Sequence, residues 1–155
     1  DRLLALSDAT AQTRLALIHG DVSPKNILVG SNGPVILDAE CATYGDPAFD
    51  LAFCLNHLIL KIVHLPASAE ALADSYKALV QSYLSHVSWE PVAEIEARTA
   101  ALLPALALAR VDGESPAEYL SADAQGRVRQ TALGLIKSPA LNLDDVLNIW
   151  MEKLT

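Results

Sequence analysis

The pattern of apolar and polar positions divides the chain into a short mixed region and a long helical one. Residues 1–17 carry several leucines with no Pro or Gly between them, which predicts a helix that leads into a strand. Two β-rich runs, Ile27–Val29 and Val35–Leu37, flank Gly30-Ser31-Asn32-Gly33, a sequence typical of a hairpin turn. We therefore expect a small antiparallel hairpin with a polar segment at each end.

From residue 46 onward the pattern is helical. Asp46 is a suitable N-cap and Pro47 a suitable first residue for a helix that runs from Ala48 to His64 and ends before Pro66. Further helices are predicted over 69–87, over 91–110 with a kink at Pro104, after Ser115-Pro116-Ala117-Glu118, over 122–137, and over 143–154 with Asn142 as its cap. The predicted fold class is α+β, mainly helical.

Composition and charge narrow the class of protein. The 155 residues are 52% hydrophobic and 19% charged, which fits one folded domain and excludes a disordered chain. The net charge is −8 and no cluster of Lys or Arg occurs, so no nucleic-acid partner is expected. An acidic protein weakly favours a cationic substrate through its field, although the same charge also serves solubility.

No membrane partner is expected either. The apolar run 51–63 is interrupted by polar residues, and the run 100–109 is too short to span a bilayer. Cys41 and Cys54 are expected to be buried free thiols, because two cysteines do not make a disulfide framework. These features predict a cytoplasmic protein.

Residues suited to chemistry are concentrated between positions 19 and 50. A hairpin returns the chain to its starting point, so Asn26 before the first strand and Asp38 after the second should face each other. Asp21 lies one tight loop away from Asn26. Two carboxylates and a carboxamide oxygen suit Mg²⁺ held together with substrate phosphates. A carboxylate that the metal does not need can accept a proton from a hydroxyl, which is the arrangement of phosphoryl transfer.

Three motifs carry a resemblance to a known family. His19-Gly20-Asp21, followed after four residues by Asn26, resembles the catalytic loop of the aminoglycoside phosphotransferase and choline kinase family, whose fold is similar to that of protein kinases. Ile36–Glu40 resembles the metal-binding segment of that family, and Gly45–Ala52 resembles the helix start that follows it. The motifs occur in the family's order, with a hairpin where the family has one, and cover residues 19–52.

The resemblance implies the chemical roles. Asp21 would be the catalytic base that orients and deprotonates the acceptor hydroxyl, and Asn26 and Asp38 would hold Mg²⁺ on the phosphates of ATP. Glu40 would either reach the metal through water or brace the loop, and bracing is the favoured role.

The resemblance also implies supporting roles. Asp50 would accept hydrogen bonds from the backbone of the catalytic loop, and His19 would hold that loop in place. Ser23 and Lys25 are candidates for contact with the transferred phosphate.

The family's architecture implies that this chain is a C-terminal catalytic lobe. Residues 1–45 would contain a helix, the catalytic loop, the hairpin and the metal-binding segment, and residues 46–155 the helical part. The seven glycines form no phosphate-cradling pattern, so the N-terminal nucleotide-binding lobe is expected to be absent from this chain. The chain alone should then be inactive, with an exposed apolar surface that favours self-association where the missing lobe would dock.

The implied function is ATP- and Mg²⁺-dependent phosphorylation of a hydroxyl on a small molecule whose identity the sequence does not reveal. One alternative is a catalytically dead, kinase-like binding protein. A metal-dependent hydrolase would need a nucleophile or a second metal site, and the sequence shows neither.

Other clusters have simpler interpretations. His57, His64 and Cys54 lack the ligand spacing of a zinc site. The aromatic residues at helical spacing, Tyr76, Tyr83 and Trp89, are interpreted as packing residues. Residues 110–114 are either an ordinary loop between helices or the rim of the acceptor site.

Overall fold

The computed structural model describes residues 2–154 as a helical body with two small sheets at one side. The N-terminal part contains helix α1 (Arg2–Gln12) and strands β1 (Ala16–Ile18), β2 (Ile27–Gly30), β3 (Gly33–Ile36) and β4 (Thr43–Gly45). The body consists of helices α2 (Pro47–His64), α3 (Ala69–His86), α4 (Val92–Asp112), α5 (Ala122–Lys137) and α6 (Leu143–Leu154). The α+β, mainly helical class is confirmed.

The predicted hairpin is present. Strands β2 and β3 pair antiparallel, with Ile27 opposite Ile36 and Gly30 opposite Gly33. Gly33 has a φ of 109°, a conformation that side chains with a Cβ rarely adopt, which explains the glycine at the end of this tight turn.

A second strand pair was not anticipated from the sequence. Strand β4 pairs antiparallel with β1, so that Ala16 lies opposite Gly45. Its three residues, Thr-Tyr-Gly, are too few to show an alternating pattern, and the partner strand is distant in the chain. This pairing closes residues 16–45 into one unit, and the loop after β1 in that unit is hydrogen-bonded to Asp50 of the helix that follows β4.

Helix α2 is the centre of the molecule. Its N-cap is Asp46, as predicted: the Ala48 amide donates to Asp46 Oδ1 over 3.0 Å. Leu55 and Ile59 of this helix are completely buried, and burying each such side chain stabilises the fold by about 1.5–3 kcal/mol. The indole N–H of Trp150 donates to the carbonyl of Ile59 over 3.2 Å, which fixes α6 against the same helix.

Two predicted boundaries were wrong. The short helix predicted to begin after Ser115 is not formed. Residues 115–120 form an irregular turn, in which the Ala117 amide donates to the Arg110 carbonyl over 2.7 Å. The buried side chains of Ala117 and Leu120 hold this turn against the body and override the local capping pattern. Helix α4 also continues through Pro104 to Asp112, so residues 110–112 are its last turn rather than a loop.

The cysteines and the hydropathy of the helices complete the description. Cys41 and Cys54 are both free, as predicted, but only Cys54 is buried; Cys41 is exposed in the turn after β3.

Among the described residues, no single helix is both long enough and apolar enough to cross a membrane. Helices Pro47–His64 and Pro66–His86 meet that criterion only as a pair, and the pair is bent by 119°.

Candidate active site

The loop between β1 and β2 is fixed to α2 by one carboxylate. Asp50 Oδ2 accepts the amide of His19 over 2.7 Å, and Asp50 Oδ1 accepts the amide of Gly20 over 2.9 Å. Asp50 lies in the first turn of α2, where the helix dipole favours a negative charge. The loop that carries Asp21 therefore has a fixed position relative to the most buried helix.

The imidazole of His19 links the same loop to the hairpin. Its Nδ1 accepts the amide of Asp21 over 3.2 Å, so Nε2 carries the proton and donates to the carbonyl of Leu37 over 2.9 Å. In this tautomer His19 is a structural connection between the loop and the segment after β3.

A glycine allows the loop and that segment to approach closely. Gly20 has a φ of 82°, and a Cβ at this position would lie 2.7 Å from the carbonyl oxygen of Cys41. A larger residue would clash with backbone here, so the close approach of the two segments requires glycine.

Asp21 and Asn26 are in direct contact. The side-chain nitrogen of Asn26, Nδ2, donates to Asp21 Oδ2 over 2.9 Å and to the Asp21 carbonyl over 3.0 Å. Because both N–H bonds of the carboxamide are used, its orientation is set. Its oxygen, Oδ1, accepts no hydrogen bond from a described residue and is therefore available as a metal ligand. Lys25 Nζ lies 3.4 Å from Asp21 Oδ2 and has a largely exposed side chain.

Asp38 follows β3, two residues beyond the end of that strand. The Leu37 amide donates to the Asn26 carbonyl over 2.8 Å, so Asp38 follows a backbone contact with Asn26. Asp38 is exposed, makes no hydrogen bond or ion pair with any described residue, and has a φ of 66°. A left-handed conformation in a residue other than glycine costs on the order of 1–3 kcal/mol, and such strain occurs often at functional sites.

These oxygens suit a magnesium ion that a nucleotide also ligates. Nowhere in residues 2–154 do three His, Cys, Asp or Glu side chains meet in a group able to hold a metal, so a site made of protein ligands alone is not indicated. Mg²⁺ takes one or two protein carboxylates and completes its shell with phosphate and water oxygens. Asn26 and Asp38 fit this incomplete donor set.

Two predicted site residues lack the contacts expected of them. Glu40 is exposed in the short turn Ala39–Cys41 and makes no hydrogen bond or ion pair with a described residue, so its bracing role stays a prediction. Ser23 is completely buried, with its hydroxyl unpartnered, and as placed it cannot contact a phosphate in solvent. Lys25 is the candidate that remains, because its ammonium group is exposed beside Asp21.

A buried ion pair that the sequence analysis missed holds the start of α2. The Arg98 guanidinium donates to both oxygens of Asp46, at 3.0 and 3.1 Å, and lies 2.8 Å from Glu90 Oε2. Asp46 is only 1% exposed. Arg98 is 52 residues from Asp46 in the chain, so no local pattern indicates the contact.

A cavity of about 410 Å³ opens beside Asp21, between the loop, α2, α3 and the end of α4. Its volume falls in the range of small-molecule sites. The side chains that form it are Asp21, Pro24, Lys25, Phe53, His57, Leu58, Lys61, Leu72, Arg110 and Tyr119. Of residues 110–114, which were considered as a rim of the acceptor site, only Arg110 lines this cavity.

Electrostatics in this cavity follow from burial. Desolvation lowers the pKa of His57, and the nearby positive charge of Arg110 lowers it further, so the imidazole is neutral at neutral pH. Burial also raises the pKa of the Tyr119 hydroxyl. His57 packs edge-on against Phe53, and His64 packs against Tyr119.

Comparisons with known proteins agree with the motifs. Residues 1–59 match the sequence model of the phosphotransferase enzyme family. Over 87 aligned residues the chain is 33% identical to methylthioribose kinase of Pectobacterium atrosepticum. That alignment covers 51% of this chain and 22% of that kinase, so the matched part spans about a fifth of the kinase's length. The resemblance that the motifs indicated, to the phosphotransferase enzyme family, is confirmed over residues 1–59.

Proposed function

We propose that this chain, which matches the phosphotransferase enzyme family over residues 1–59, is the catalytic lobe of a small-molecule kinase. The observation that carries the proposal is the contact of Asp21 with Asn26, in a loop whose backbone is fixed by Asp50 and which opens into a cavity of small-molecule size. The reaction is transfer of the terminal phosphoryl group of ATP to a hydroxyl of the acceptor.

Each side chain has a definite task in this reaction. Asp21 has Oδ2 occupied by Asn26 and Lys25, which leaves Oδ1 to accept the proton of the acceptor hydroxyl. Asn26 Oδ1 and the Asp38 carboxylate would hold Mg²⁺, which would supply neutralisation of charge on the transferred phosphoryl group. Lys25, whose ammonium group is exposed beside Asp21, would contact that group.

The exposed apolar side chains of the hairpin support the idea of a missing partner lobe. Leu28 and Val35 lie opposite each other on one face and are 54% and 53% exposed, and Val29, on the other face, is 89% exposed. The face that carries Leu28 and Val35 is an apolar patch that a nucleotide-binding lobe would cover. We expect the chain without such a lobe to turn over slowly or not at all and to self-associate through the same patch.

The free thiols are compatible with a reducing compartment such as the cytoplasm.

The test is an Asp21→Asn substitution in the complete protein that carries this chain, assayed by ADP release with a panel of small alcohols. Loss of a general base should reduce turnover by about 10²- to 10⁴-fold. Asp74→Asn, which changes an exposed carboxylate of α3 in the same way, is the matched control.

Near-normal turnover of Asp21→Asn would remove Asp21 from the mechanism. If nucleotide and Mg²⁺ bind but no acceptor is phosphorylated by the unmodified protein, the kinase proposal is wrong and the catalytically dead binding protein takes its place.

A further inference from the structure

The charge in the cavity beside Asp21 is opposite in sign to that of the whole chain. The chain has a net charge of −8, yet three cationic side chains, Lys25, Lys61 and Arg110, line this cavity against one carboxylate. Lys25 is paired with Asp21. The positive charge that remains therefore belongs to Lys61 and Arg110.

Neither of these two cations has an anionic partner among the residues that the structure describes. Lys61 Nζ lies 4.0 Å from the centre of the Tyr119 ring, and no carboxylate is within ion-pair distance of Arg110. Arg98 and Arg129 differ, because each donates two or more hydrogen bonds to an aspartate. A partly buried guanidinium without a counter-ion is unfavourable, since its desolvation is not offset.

Polar atoms without a partner converge on the same cavity. Arg110 Nε, Tyr119 Oη and His57 Nε2 are buried and make no hydrogen bond to protein. In residues 2–154 five residues have such atoms, and three of the five line this one cavity. Buried donors are normally satisfied, so a concentration of unsatisfied ones beside a reactive carboxylate indicates where a ligand supplies acceptors.

We propose that the acceptor of the phosphoryl group carries an oxyanion, a carboxylate or a phosphate, which Arg110 and Lys61 bind while Asp21 faces the hydroxyl. The proposal rests on the proposed function for the role of Asp21. Arg110 supplies planar N–H donors, Lys61 supplies charge, and the Tyr119 hydroxyl donates a further hydrogen bond. The apolar side chains of Phe53, Leu58 and Leu72 limit water and strengthen the ion pair.

This specificity reverses the expectation drawn from composition. The overall acidity of the chain weakly favoured a cationic acceptor, but the net charge averages over surfaces that the acceptor never contacts. Within the cavity, the local excess of positive charge would repel an ammonium group. The neutral state of His57 is consistent with that local field.

The test compares four hydroxyl compounds of similar size with different charge: D-gluconate, D-glucose 6-phosphate, D-glucitol and D-glucosamine. Binding to the complete protein is measured by calorimetry at constant ionic strength, without ATP, so that the readout does not depend on turnover. At least one of the two anions should bind, and the neutral and cationic compounds should bind at least tenfold more weakly. Gluconate and glucose 6-phosphate distinguish a carboxylate from a phosphate as the preferred group.

Substitutions assign the effect to the cavity. Arg110→Gln should weaken anion binding by about 10- to 100-fold, the loss typical of charge-assisted hydrogen bonds, and Arg110→Lys should restore part of it. Lys77→Gln removes one exposed positive charge of α3 and should leave affinity unchanged. If Arg110→Gln fails to fold, Lys61→Gln and Arg110→Lys carry the comparison.

The outcomes separate the two proposals. Anion binding that depends on Arg110, in a protein that phosphorylates no compound, supports the oxyanion site and refutes the kinase function. Phosphorylation of glucitol or glucosamine in preference to both anions supports the kinase and overturns the oxyanion site. Equal affinity for all four compounds, unchanged affinity in Arg110→Gln, or no binding of either anion at millimolar concentration also overturns it.

Discussion

Replacing Asp50 by asparagine should loosen the loop that carries Asp21 and leave the helical core folded. The carboxylate of Asp50 uses one oxygen for the His19 amide, at 2.7 Å, and the other for the Gly20 amide, at 2.9 Å. A carboxamide has only one acceptor oxygen, and its NH₂ group would face the second backbone N–H. The substitution therefore removes the charge from one hydrogen bond and eliminates the other.

The magnitude follows from these two losses. A hydrogen bond to a charged group contributes about 1.5–3 kcal/mol, and a buried donor left unpaired costs about 1–3 kcal/mol. His19 and Gly20 are half-buried, so water satisfies part of the lost bonding and the combined effect should be about 2–4 kcal/mol. Since each 1.4 kcal/mol is a factor of ten, local opening should become roughly 30- to 1,000-fold more frequent.

Native-state amide hydrogen exchange measures this effect directly. Exchange at His19 and Gly20 should accelerate by the factor given, while core amides of α2, such as that of Ile59, should exchange at the same rate as in the unmodified chain. Asp74→Asn in α3 is the control, because it makes the same chemical change at an exposed carboxylate. If His19 and Gly20 exchange in Asp50→Asn as slowly as in the unmodified chain, Asp50 does not fix the loop and the reasoning fails.

Three further predictions concern stability and reactivity. Arg98→Met should lower the free energy of unfolding by about 3–5 kcal/mol in a denaturant titration, because it leaves Asp46 buried without its partner. The pKa of Tyr83 is raised to about 12, chiefly by burial, so the neutral phenol stabilises the fold fully below pH 10 and this contribution is lost as the pH rises from 10 to 12; Tyr83→Phe should show a flatter decline of stability across that range. A thiol reagent at pH 8 should modify Cys41 and spare Cys54 in the folded chain, because Cys54 is buried and its pKa is raised by desolvation.

Each of these has a direct check. Arg129→Met removes an arginine from an exposed ion pair with Asp112 and should lower stability far less than Arg98→Met does; an equal loss in both variants would contradict the burial argument. Tyr83→Phe and the unmodified chain losing stability in parallel above pH 10 would exclude Tyr83 as the titrating group. Peptide mapping that finds Cys54 labelled before unfolding would show that α2 opens locally.

Features that depend on neighbouring residues in the chain could be predicted from sequence. The turn Gly30–Gly33 determines the hairpin, and Asp46 with Pro47 determines the start of α2, because turn and cap preferences act over a few residues. The spacing of Asp21, Asn26 and Asp38 indicated phosphoryl-transfer chemistry, because a hairpin brings the start of its first strand and the end of its second strand together.

Features that depend on distant segments could not be predicted in this way. The pairing of β4 with β1, the Arg98–Asp46 contact and the turn formed in place of a helix after Ser115 all arise from packing between residues far apart in the chain. Local propensities of a few tenths of a kcal/mol are overridden there by burial worth several times more.

The predicted chemistry of the loop therefore follows from the local sequence, whereas the proposed choice of acceptor follows from the packing of distant segments. The sequence by itself predicted the residues that would act on a hydroxyl and a phosphate, since they occur together in one short segment. Only the tertiary structure brought Lys61 and Arg110 from two helices to the side of Asp21, because a cavity exists only where separate elements pack around it. Its local charge, opposite to that of the chain, is a property of that packing.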